Sequence, residues 1–199
     1  MVPRPTADGA DAFELGWWLP GSALYVELHR RLFPDEPERL RQLQAPFDDA
    51  FSCAEEYPLP GGDTVRSLCP YDELLYLLLH ALKHFLHGGF GVRQVCDIGL
   101  WAQRYAACID WPRLLAQCRA QRAERFAAAI FAIAEEQLGL AVPLSPDWRA
   151  ICADPAPLLD DLLHAGIYGT ATGSRRQAAP LILRAAEAKS GTLHALFPP

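Results

Sequence analysis

The sequence predicts an α+β fold that is predominantly α-helical: a multi-helix domain with a small β-hairpin at its N-terminal end. Three observations predict it. Residues 13–29 hold two aromatic, β-favouring runs around Pro20-Gly21-Ser22. From Pro70 onward the chain breaks into apolar runs bounded by helix start and stop residues. The 199 residues are 51% hydrophobic and 21% charged, a globular composition that can bury a core and is unlike a disordered or collagen-like chain.

The hairpin joins Phe13-Glu14-Leu15-Gly16-Trp17-Trp18-Leu19 to Ala23-Leu24-Tyr25-Val26-Glu27-Leu28-His29. Along the second run Leu24, Val26 and Leu28 face one way, and Tyr25, Glu27 and His29 the other. Trp17 and Trp18 are costly to expose and an isolated hairpin is marginal, so these strands must pack on the helices or join strands outside the chain. Residues 36–51 read as helix cut by Pro46. Residues 57–68, with Gly61-Gly62-Asp63 at the turn, read as a second small hairpin. Pro70 and the acids Asp72 and Glu73 open a helix whose run from Leu74 to His87 stops at Gly88-Gly89. The next helix covers 92–106. Asp110 caps a third, with Pro112 in its first turn, ending near Arg119. A fourth, 123–138, is Ala-rich and apolar on most faces, which makes it central, and Gly139 ends it. Ser145-Pro146-Asp147-Trp148 opens a short fifth helix, and Pro155-Ala156-Pro157 leads into a sixth over 158–164. Residues 166–173 form a Gly/Thr loop, and 174–189 a last helix interrupted by Pro180. The expected division is a β/α segment over 1–68 and a helical domain over 69–199.

A net charge of −6 argues against non-specific nucleic-acid binding. No stretch reaches the roughly 18–20 apolar residues of a membrane span, and residues 1–10 lack the apolar run of a signal peptide. These features predict a cytoplasmic protein with neither nucleic acid nor membrane as partner. The six cysteines, Cys53, Cys69, Cys96, Cys108, Cys118 and Cys152, form no C-x-x-C pair, which argues against a zinc ribbon or a thioredoxin-type site. They read as free thiols in a reducing compartment.

His80, His84 and His87 share one helix face at i, i+4 and i+7, a spacing that can bind a divalent metal. Ala81 stands where a zincin needs Glu, so a metalloprotease is rejected. Cationic groups in the last turns of a helix also simply favour its dipole. The glycines of 88–91 lead into a helix carrying Arg93 and Asp97. That turn can offer backbone N–H groups to an anion, with Arg93 holding phosphate, or it is a tight connection in which Arg93 and Asp97 pair at i, i+4. Glu27 on its strand is a candidate Mg²⁺ ligand, but such a site normally needs two or more carboxylates and no Asp-x-Asp occurs. Neither a Ser-His-Asp nor a Cys-His arrangement has a local signature.

The order of several segments carries a resemblance. Val26-Glu27-Leu28-His29-Arg30-Arg31-Leu32-Phe33 precedes Leu68-Cys69-Pro70-Tyr71-Asp72-Glu73-Leu74-Leu75. Then come Leu79-His80-Ala81-Leu82-Lys83-His84, Gly89-Phe90-Gly91-Val92-Arg93-Gln94-Val95-Cys96-Asp97 and Ile109-Asp110-Trp111. Gly166-Ile167-Tyr168-Gly169 and Leu196-Phe197-Pro198-Pro199 close the series. Over roughly residues 13–199 the chain resembles the bacterial uncharacterised nucleotidyltransferase family, of the polymerase-β-like superfamily.

The resemblance implies a core in which a Gly-Ser turn and an Asp-x-Asp pair bind NTP and Mg²⁺, with a third carboxylate on a later strand. Glu27 matches that third acid, and so is the implied catalytic and metal-binding residue. The Gly-Ser and Asp-x-Asp part is expected before residue 1, so the hairpin reads as the remnant of a nucleotidyltransferase sheet truncated at its N-terminus. One acid does not support nucleotidyl transfer. The expectation is a nucleotidyltransferase-like protein, inactive as this chain, with Mg²⁺ as the family's cofactor. His80, His84, Arg93 and Asp97 are the expected substrate-binding residues, a polar pocket between helices for a nucleotide or other small-molecule ligand. The alternative is a non-catalytic helical binding or interaction module, in which a protein partner or a second copy covers the exposed sheet edge. A metal-binding bundle through His80, His84 and His87 is a third option.

Overall fold

The computed structural model describes residues 2–4, 14–18, 21–23, 25–35, 38–87, 90–151 and 154–165. The chain divides into two compact units, Met1–Ser52 and Cys53–Pro199.

In the first unit, strands β1 (Val2–Arg4), β2 (Glu14–Trp18) and β3 (Tyr25–His29) form an antiparallel sheet in the order β1-β2-β3. The expected hairpin is β2–β3, in the register Glu14↔His29, Gly16↔Glu27 and Trp18↔Tyr25. Strand β1 is an addition to it. Three residues are too few to show alternation, and Pro3, paired with Trp17, is tolerated on an edge strand because it need not donate to the ladder. The Tyr25 ring packs over Gly16, where a Cβ would make the tyrosine shift. The aliphatic face of β3 is less covered than expected: Leu28 stands 54% exposed. Alternation identifies the faces of a strand but not which of them is covered.

The helix expected over 36–51 is broken into α1 (Glu38–Gln42) and two 3₁₀ turns, Ala45–Phe47 and Ala50–Cys53. Pro46 lacks the N–H that a continuous helix needs. The Gln44 side chain instead accepts from the N–H groups of Leu32 and Phe33, at 3.1 Å each. Phe33, Leu40, Leu43, Phe47 and Ala50 are buried, and the rings of Phe33 and Phe47 stack 5.8 Å apart.

The second unit opens with an antiparallel hairpin, β4 (Glu55–Pro58) and β5 (Thr64–Ser67), turned by Gly61 and Gly62 at positive φ. Among the described residues six helices follow: α2 (Pro70–His87), α3 (Val92–Arg104), α4 (Trp111–Ala120), α5 (Glu124–Leu138), α6 (Pro146–Ile151) and α7 (Ala156–Ala165). The caps act as read. The Asp110 carboxylate accepts from the Arg113 N–H at 3.0 Å. Gly139 takes φ 66° and its N–H donates to the Glu135 carbonyl, an αL stop, while the Leu140 N–H reaches back to the Ala134 carbonyl. Helix α3 ends at Arg104, earlier than expected, and a 3₁₀ turn over Ala106–Cys108 takes up the rest.

Helix α5 is the centre of this unit and packs against α3, α4, α6 and α7. Phe126 through Phe131 are all buried. Phe126 meets Phe85 of α2 at 5.3 Å and Phe90 at 5.4 Å, while Phe131 meets Trp111 at 5.8 Å and Trp148 at 5.4 Å. Trp101 of α3 donates its indole N–H to the Pro70 carbonyl at 3.0 Å, which ties α3 to the first turn of α2.

No helix among the described residues is long and apolar enough to cross a membrane. Outside the described residues lie the side chains of Trp17, Trp18, Glu27 and His87, the Gly88-Gly89 stop, Cys152, and the loop and last helix expected over 166–173 and 174–189.

A Cβ on Gly99 of α3 would stand 2.6 Å from Leu140 Cδ1 and 3.0 Å from Ala134 Cβ. Gly99→Leu is therefore expected to cost about 1–3 kcal/mol through overpacking against α5. A urea titration followed by circular dichroism measures it; an unchanged midpoint would show that α3 and α5 do not pack this closely.

Candidate functional site

Helix α2 carries the polar groups of the second unit. Proline at its first position, with Asp72 and Glu73 in the first turn, suits its positive end. Its buried face is Leu74, Leu75, Leu78, Leu79, Leu82 and Phe85. That packing fixes the rotation of the helix and leaves Tyr76, His80 and His84 half-buried along its edge. The rings of Tyr76 and His80 lie 5.0 Å apart, and those of His80 and His84 stack at 4.6 Å. The two Nε2 atoms are 2.7 Å apart. One of them must donate and the other accept, so at least one imidazole is neutral.

His80 and His84 line a small cleft with Leu77 and Ala81 of α2 and Gln94, Asp97 and Ile98 of α3. Gln94 is fixed there by its own helix start, because its Oε1 accepts from the Gly91 N–H at 2.7 Å. The structure thus brings His80, His84 and Asp97 to one place. Arg93 stands on the exposed side of α3, 3.9 Å from Asp97 in an i, i+4 pair, the tight-connection reading of this turn. The cleft holds about 90 Å³, against roughly 300–1,000 Å³ for a typical small-molecule pocket. It suits a small polar group or a few waters rather than an enclosed nucleotide. Glu27 belongs to the other unit, on β3 opposite Gly16.

A second cluster forms at the start of α2, and the spacing of the cysteines did not reveal it. Cys53 Sγ lies 2.9 Å from Cys69 Sγ and 3.0 Å from Asp72 Oδ2, and Cys69 Sγ is 3.4 Å from the same oxygen. The hairpin register explains the meeting. Its last pair is Glu55↔Ser67, and two residues further along the same register Cys53 falls opposite Cys69. A hairpin symmetric about Gly61-Gly62 was the available signal. The contacts with Cys69 and then Asp72 push the Cys53 thiol up to about 12. None of the five described cysteines forms a disulfide.

Burial raises the Glu73 carboxyl above its ordinary value of 4.5. The folded state therefore holds this proton more tightly than the unfolded chain. The stabilisation is full below the unfolded pKa and is lost as pH rises through the folded one. Glu73→Gln is expected to be more stable than the parent at pH 7, with the difference shrinking as pH falls toward 4.5. Thermal melts across that range check it; a difference independent of pH would refute the burial argument.

No curated protein matches the chain, and no solved structure does. A family model described as uncharacterised nucleotidyltransferase matches residues 13–139. That span begins at β2, contains both the α2–α3 cleft and the Cys53, Cys69 and Asp72 cluster, and ends on the glycine that stops α5. The chain belongs to the uncharacterised nucleotidyltransferase family.

Proposed function

We propose that this nucleotidyltransferase-family chain does not transfer nucleotide by itself, and that its α2–α3 cleft contacts a small polar group of the family's ligand. The observation that carries this reading is the acid content of β2 and β3. The two strands carry one acid each, Glu14 in β2 and Glu27 in β3. Nucleotidyl transfer with Mg²⁺ draws on three carboxylates, two of them on a single strand as Asp-x-Asp. Two glutamates on neighbouring strands do not reproduce that donor set. The nucleotide remains the ligand class that family membership supports. His80, His84 and Asp97 are the groups proposed to touch it, with Arg93 at the rim.

The test is release of pyrophosphate from each common NTP with Mg²⁺ and a panel of hydroxyl acceptors. The expected rate is the background rate, unchanged in Glu27→Ala. A Mg²⁺-dependent release that Glu27→Ala abolishes would overturn the reading.

A second reading, a non-catalytic interaction module, draws on the β4–β5 hairpin. Both strands are edges, and Leu59 and Val65 near its turn stand 46% exposed. Light scattering with increasing protein concentration is expected to show self-association that Val65→Lys reduces. A concentration-independent monomer would remove support for a second copy as the occupant.

A further inference from the structure

We propose that Cys53, Cys69 and Asp72 form a binding site for one borderline-soft divalent cation of the Zn²⁺ class, fastening the β4–β5 hairpin to the start of α2. The ligand atoms of the three residues all lie within 4.8 Å of one another, close enough to share one ion. They come from the two ends of the hairpin segment and from the first turn of α2, so an ion there closes residues 54–68 into a loop.

Three features point to a cation rather than to a packing contact. First, Asp72 is only 7% exposed, and among the described residues its carboxylate has just the two thiols as hydrogen-bond partners. Thiols are weak donors, and a buried carboxylate held only by them is under-satisfied. Second, the triangle has three close contacts, whereas two thiols bring two protons. One edge has no hydrogen to hold it, and a single cation at the centre holds all three. Third, the hairpin itself buries little: six of the eight residues of β4 and β5 are exposed, and Tyr57 and Ser67 are half-buried. A two-stranded hairpin is marginal without an anchor.

The ligand types select the cation. Two thiolates and one carboxylate suit Zn²⁺, which accepts sulfur and oxygen in tetrahedral geometry. Mg²⁺ is excluded as occupant because it prefers an all-oxygen octahedral shell. With Zn–S about 2.3 Å, two thiolates on one ion stand about 3.8 Å apart, so the sulfurs separate by about 1 Å on binding. Both thiol protons leave to solvent as the ion enters. The bound set, three anions on one dication, carries a net −1 charge at the positive end of α2, where the dipole favours it. The fourth position is open to water or an external ligand. Oxidation to a Cys53–Cys69 disulfide is the less favoured outcome, because it strips the Asp72 carboxylate of both donors.

The experiment uses the full chain, chelator-stripped and held in a non-thiol reductant, and titrates it with Co²⁺. A thiolate-to-Co²⁺ charge-transfer band is expected to saturate at one ion per chain and to vanish when Zn²⁺ displaces the probe. Cys53→Ser and Cys69→Ser are each expected to lose most of the band. Asp72→Asn is expected to keep it while binding about tenfold or more weakly, and His80→Ala to leave it unchanged. Zn²⁺ is also expected to raise the melting temperature of the unmodified chain, a readout independent of whether the variants fold. Absence of the band from the unmodified chain, its survival in both Cys→Ser variants, or its loss in His80→Ala would overturn the proposal.

Discussion

The helical unit depends on the near-complete burial of α5. Ala127, Ala128 and Ala129 let neighbouring backbones come close, while Phe126 and Phe131 fill the wider spaces on either side. A helix buried on most sides leaves its neighbours few ways to pack. Gly99 brings α3 in because a side chain there would meet Ala134 and Leu140. Phe85 brings α2 in through Phe126. Arg149 holds α6 by two hydrogen bonds to Glu135, at 2.8 and 3.0 Å.

That constraint reaches the polar groups through the rotation of α2. Phe85 and His84 are sequence neighbours, about 100° apart around the helix. Once Phe85 is driven into the aromatic cluster, His84 and His80 have to lie along the edge facing α3. Trp101 acts at the other end. Its hydrogen bond to the Pro70 carbonyl holds the first turn of α2, where Cys69 and Asp72 meet Cys53. The cleft and the cysteine cluster are therefore set by opposite ends of one helix, through Phe85 and Trp101.

Family membership and site geometry constrain different parts of the molecule. The family match covers strands β2 and β3 as well as α2 through α5. Glu27, the acid that the resemblance singles out, belongs to the unit Met1–Ser52. The two side-chain clusters that the geometry defines, the histidine cleft and the cysteine pair, both belong to the unit Cys53–Pro199.

Local chemistry determined most of the helical unit. Asp110, Pro70 and Gly139 mark boundaries because capping and positive φ depend on one or two residues. Both hairpins were legible from their turns, and the i, i+4 spacing placed His80 with His84 and Arg93 with Asp97. The break that Pro46 makes in 36–51 was legible too, but not the Gln44 side chain's bonds to Leu32 and Phe33, eleven and twelve positions away. Strand β1 was missed because its three residues are too few to show alternation. Only tertiary structure decided that His80, His84 and Asp97 share one cleft, and that it is too small to enclose a nucleotide. It alone joined Cys53 to Cys69 and Asp72. Helix and turn signals act over a few residues and are written in order along the chain, whereas a site is made where packing brings distant residues within a few ångströms.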